Sequence, residues 1–223
     1  MDAVCLAVRS TLAQFRATEP LCAKSQQRDC IFPLSPEDQE LFKLYTEAFA
    51  CHWSPTSGAD YTKELSSWEK ISDSERKFLV NLLAFFGGAD GVIADNRVAN
   101  FSKEFTNKPI QFFLQWQAAM ENVHNHTYAL LLDKIVPYKY KQEIDVFGAS
   151  SDPKRFPHIV KKRAWMKRYS RRSVPLEERL VAFACAEGIF FSSAFAGIFW
   201  IKQVHPGLFP QLMNHNWYIM RDE

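Results

Sequence analysis

Val181 to Ile201 reads VAFACAEGIFFSSAFAGIFWI, 21 residues whose single charge, Glu187, stands near the middle. An unpaired carboxylate buried in such surroundings costs several kcal/mol or is forced to take a proton. Something must compensate it. A membrane span has this length. An acid is costly there too, Ser192 and Ser193 weaken the apolar run, and no other segment reads as a span. The stretch is therefore read as a core helix of a non-membrane protein whose acid has a partner from elsewhere in the fold.

Working outward, the punctuation is that of long helices. Ser35-Pro36-Glu37-Asp38 supplies a cap, a proline at the first helical position and acids in the first turn. Ser72-Asp73-Ser74-Glu75 has capping-box spacing and opens a helix expected to run to about Lys103. Asn107-Lys108-Pro109 starts the next, to about Val136. Pro175 opens a helix expected to be continuous through Ile201, and His205-Pro206-Gly207 breaks it before a last helix from about Phe209. Pro55, Gly58 and Asp60 mark Trp53 to Trp68 as a loop, and residues 1–30 read as a poorly ordered leader. The expectation is an all-α bundle over residues 31–223.

Composition agrees. Among 223 residues, 19 Phe and only 8 Gly favour a large aromatic core over a turn-rich β protein. A net charge of +2 exerts no strong pull on nucleic acid. The basic run Lys161 to Arg172 reads as a solvated helix face, because Trp165 and Tyr169 lie four apart rather than interleaved as a base-stacking platform. The five cysteines, Cys5, Cys22, Cys30, Cys51 and Cys185, form no CxxC pair, and no secretory signal precedes them. That usage suits a reducing, cytoplasmic setting.

Three further segments offer acids. In MENVHNHTY, Glu121 and His124 are three apart on one helix face, and Tyr128 follows on the same stripe. Glu-x-x-His on a bundle helix is half of a two-metal carboxylate site. In FFGGADGVIAD, Asp90 sits in an apolar helical stretch where aspartate is unfavourable by propensity. The sequence closes on Met220-Arg221-Asp222-Glu223. Each alone is commonplace: a surface Glu-His pair, a glycine-made kink, a solvated terminus. Together, four helices each bring an acid, two of them in apolar surroundings. Carboxylates with one imidazole suit iron or manganese better than zinc.

The runs LLAFFGGADGVIADN, ENVHNHTYALLLD, VAFACAEGIFFSSAFAGIFW and the terminal RDE, in this order, resemble the small, radical-generating subunit of class I ribonucleotide reductase. The resemblance covers about residue 28 to 223. It implies a ferritin-like bundle, a homodimer, a di-iron centre (manganese being the other candidate) and a ribonucleotide reductase large subunit as partner, with no nucleic acid or membrane bound. The metal ligands it implies are Asp90, Glu121, His124, Glu187 and Glu223. Tyr128 matches the radical tyrosine, and Phe191, Phe195 and Ile219 match the apolar pocket around it. Trp53 and Asp222 match a relay in which the aspartate links the metal-bound histidine to a tryptophan.

The family pattern continues past its last glutamate as Glu-x-x-His, whereas this sequence stops at Glu223. Neither His205 nor His215 has the spacing to supply the second histidine, and a fragment of a longer product is the favoured explanation, beside a truncated natural variant that binds metal weakly. Trp53 also stands one residue further from Trp68 than the family pattern has it. Two alternatives stay open: an inactive or structural partner of a complete small subunit, and a ferritin-like di-iron oxidase.

Overall fold

The computed structural model describes residues 7, 10, 19–22, 29–57, 59–96, 101–141 and 157–223. Among these residues all regular structure is helical. α1 (Pro36–Ala50) starts where Ser35 Oγ accepts the Asp38 N–H at 3.1 Å. α3 (Asp73–Asn96) starts on a closed capping box: the Ser72 N–H donates to Glu75 Oε2 at 2.7 Å and the Glu75 N–H to Ser72 Oγ at 3.3 Å. α4 (Lys108–Ile135) is capped by Asn107, whose side-chain oxygen accepts the Ile110 N–H. The Asn107 amide also donates to the buried Asp38 at 2.6 Å, so the starts of α1 and α4 are tied together.

Between α1 and α3 the expected loop is half helix: α2 spans Thr62–Trp68. The turn residues occupy only its first half, and Glu64, Ser67 and Trp68 beyond them are buried. α5 (Pro157–Tyr169) carries the basic run as far as Arg168, and Arg171 and Arg172 follow in a turn. The long helix expected from Pro175 is not continuous. α6 (Leu176–Cys185) passes into a π turn, Ala186–Phe190, before α7 (Ser192–Val204). The Ser192 hydroxyl donates back to the Gly188 carbonyl at 2.6 Å, a local bond that competes with the helical ladder. α3 ends at Asn96, short of Lys103; Ser102–Glu104 is a separate turn, and residues 97–100 lie outside the described residues.

α8 (Pro210–Asp222) has an unusual start. Phe209 is left-handed, φ 53°, a conformation costly for a bulky residue. Two groups from α2 hold it: Ser67 Oγ accepts the Phe209 N–H at 3.1 Å, and Glu64 Oε1 accepts the Gln211 N–H at 2.8 Å. Burial pushes the Glu64 carboxyl up to about 7, against the N–H groups of Gln211 and Leu212.

α4 lies at the centre, packed against α1, α2, α3 and α8, while α7 packs on α3 and α8. Gly197 permits the α3–α7 approach, since a Cβ there would come within 3.0 Å of Leu82 Cδ1 and Phe78 Cζ. A smaller apolar cluster joins Phe101, Phe105, Leu114 and Leu176, with the buried Arg179 paired in bidentate fashion to Glu104 beside it. Leu21 and Cys22 pack on this cluster, and the Leu21 carbonyl accepts from the Thr106 and Asn107 N–H groups. Within the segment expected to be a loose leader, Pro20–Cys22 form a 3-10 turn. Most of residues 1–30 lie outside the described residues.

Candidate metal centre

The buried positions of α4 include Leu114, Glu121, His124, Tyr128, Leu131 and Ile135, the stripe of an amphipathic helix facing a core. Two of its members are thus a carboxylate and an imidazole where packing alone would call for leucine. On α8, Leu212, Asn216 and Ile219 are buried at the same spacing, and the stripe continues to Glu223. The two stripes meet. Ligand atoms of Glu121, His124 and Glu223 all lie within 4.8 Å of one another. His124 Nδ1 is 3.1 Å from Glu223 Oε1 and 3.9 Å from Glu121 Oε1. These are close approaches rather than aligned hydrogen bonds.

The opposite nitrogen is engaged differently. His124 Nε2 lies 3.1 Å from Asp222 Oδ2, and the same oxygen accepts the Trp53 indole N–H at 2.7 Å. Arg221 holds the other oxygen, Oδ1, and its guanidinium also donates to the Cys51 carbonyl at 2.7 Å. Burial favours the neutral Asp222, yet His124, Trp53 and Arg221 together hold its carboxyl below the ordinary range. Burial alone would likewise push His124 down. The carboxylates of Asp222, Glu223 and Glu121 override it and hold the imidazole up at about 10. The cluster therefore takes a positive charge at neutral pH, a proton or a metal ion. Nδ1, facing the two glutamates, is the nitrogen a metal would take, and Nε2 is oriented by its carboxylate.

Glu187, on the π turn, lines the same cavity of about 200 Å³ as Glu121, His124 and Glu223, without joining their tight group. Asp90 lies on α3, and its side chain is outside the described residues. The donor set present, three carboxylates and one imidazole around one cavity, fits a hard divalent cation such as iron or manganese.

Tyr128, one turn beyond His124, is buried in the main core with Phe191, Phe195 and Ile219. Phe86, which none of the sequence motifs marked, packs directly against it. The two rings stack at 4.8 Å and 5°, and Phe86 also touches Phe191 at 5.7 Å and Phe195 at 4.8 Å. Spacing held the signal: Leu79, Leu83 and Phe86 form one buried stripe on α3. His215 is a second residue without a foreseen role. Buried and pushed down to about 4 by that burial, its ring stacks on Trp53 at 5.8 Å, opposite Tyr61. His126 is exposed, and His205 pairs with Glu75 at 2.7 Å, away from the cluster.

A family model described as ribonucleotide reductase, small chain, matches residues 31–223. The ribonucleoside-diphosphate reductase small chain of Nicotiana tabacum is 37% identical over 205 residues, 92% of this chain and 60% of its own length. Ribonucleoside-diphosphate reductase subunit M2 of Homo sapiens is 37% identical over 206 residues, 92% of this chain and 51% of its own. The chain thus spans about half to three fifths of the length of these curated relatives. Among solved structures, the ribonucleotide reductase Rnr4 homodimer from Saccharomyces cerevisiae matches with a TM-score of 0.82 at 26% identity, covering 96% of this chain and 65% of that one.

Proposed function

The chain belongs to the ribonucleotide reductase small-chain family, and from that premise we propose that it is the ferritin-like, radical-generating part of a ribonucleoside-diphosphate reductase. The observation that carries this reading is the continuous path Trp53–Asp222–His124 to the glutamates Glu121 and Glu223, with Tyr128 one turn further along the same buried stripe. In this reading two metal ions, iron or manganese, are held by Asp90, Glu121, His124, Glu187 and Glu223. Once bound, these ions would supply, together with dioxygen, the oxidising power for a one-electron oxidation at Tyr128.

The protein's own groups do the rest. Tyr128 would give up its phenolic hydrogen, with its electron and its proton both passing to the dioxygen being reduced. Phe86, Phe191, Phe195 and Ile219 keep reductants and water from its ring. Asp222 fixes the His124 ring and, by accepting the Trp53 N–H, joins it to an indole that relays the oxidising equivalent toward a large subunit. The homodimer named for the Saccharomyces cerevisiae relative supports a homodimer here, and the thiols Cys30, Cys51 and Cys185 suit a cytoplasmic setting. Electron paramagnetic resonance after adding ferrous iron and dioxygen tests the reading. A tyrosyl signal that vanishes in Tyr128→Phe is expected. Full iron loading with no such signal, or its survival in Tyr128→Phe, contradicts it.

A further inference from the structure

The π turn Ala186–Phe190 carries Glu187 and leads directly into Phe191, so its register decides where the acid and the ring both point. In a regular α-helix the Phe190 carbonyl would accept the Ala194 N–H. Here that N–H goes to the Phe191 carbonyl, at 2.9 Å. A donor from another helix takes its place: Lys162 Nζ, reaching across from α5, donates to the Phe190 oxygen at 2.8 Å. The ammonium also sits over the rings of Phe85 at 5.2 Å and Phe190 at 5.5 Å. Trp165, one turn along α5, packs on Phe190 at 5.0 Å. Phe85 in turn touches Phe86 and Phe191, the rings around Tyr128. In a basic run expected to be solvated, Lys162 turns its charge inward, and that burial lowers its pKa.

We propose that Lys162 is a positioning residue: its ammonium takes the carbonyl that the π turn frees and so holds the register that sets Glu187 at the cavity and Phe191 in the wall around Tyr128. The functional half of this proposal rests on the reading of Glu187 as a metal ligand. Hydrogen–deuterium exchange by mass spectrometry on the full chain, beside Mn(II) binding, tests it. Lys162→Met should speed exchange roughly tenfold, the equivalent of one charge-assisted hydrogen bond, in peptides spanning 186–194 only. It should also weaken Mn(II) binding, and Lys162→Arg should recover most of both effects. Unchanged exchange in Lys162→Met overturns the proposal, as does acceleration extending equally through α4. Full Mn(II) affinity in Lys162→Met, where Glu187→Gln loses it, overturns it too. If Glu187→Gln itself binds Mn(II) normally, the ligand reading fails, while the exchange result still decides whether Lys162 holds the turn.

Discussion

On one side of His124 the buried surface is carboxylate; one turn along α4, around Tyr128, it is almost wholly aromatic and aliphatic. The two regions share α4, the π-turn segment and α8, and they are stabilised by opposite means. The aromatic wall needs nothing added, since its rings contact one another at 4.8 to 5.8 Å and exclude water. The carboxylate cluster cannot stand alone. It draws a proton onto His124 and recruits Arg221 and the Trp53 N–H to settle Asp222. A core built only for stability would have continued the wall through both regions, because apolar replacement of buried charges is often neutral or stabilising. The difference marks the polar half as the place kept for chemistry.

Substitutions can break this contrast selectively. Phe86→Ala should have the largest effect on stability, about 3 to 5 kcal/mol by chemical denaturation, because it empties the centre of the wall. Metal binding by the remaining folded protein should persist. Asp222→Asn should do the reverse. It keeps the shape but removes the charge that orients His124, so metal affinity should fall by roughly 10- to 100-fold in a competition titration with little change in folding.

The smallest effect concerns Glu64, which caps the helix bringing Asp222 and Glu223 to the cluster. Its folded pKa of about 7 lies above the ordinary carboxyl value of 4.5. The folded state therefore favours the protonated form, and stability present below the unfolded pKa is lost as pH rises through about 7. Glu64→Gln should flatten denaturation midpoints across that window, and an unchanged slope would mean that Glu64 titrates normally.

Much of this was legible in the sequence because it is local. Ser35, Ser72 and Asn107 each announce a helix start through a side chain acting on the backbone three residues later, and all three are found doing so. Glu121, His124 and Tyr128 share a face by helical spacing alone. What was not legible depends on distant partners. The π turn offsets the helical ladder, and no period in VAFACAEGIFFSSAFAGIFWI reports that. Lys162 looks like any lysine in a basic run until Phe190 and Phe85 are brought beneath it. The segment at Leu21 has no pattern of its own and is fixed by the backbone of Thr106 and Asn107. α2 was hidden because its stabilising contacts are made by Glu64 and Ser67 to the start of α8, more than 140 residues away.

The central claim is that Glu121, His124 and Glu223 form a metal centre. Anaerobic loading with ferrous iron, followed by gel filtration and metal analysis, tests it most directly. At least one equivalent should be retained per chain, lost in Glu121→Ala and in His124→Ala but kept in Asp133→Ala at an exposed site on the same helix. Retention no greater in the native chain than in Glu121→Ala would contradict it.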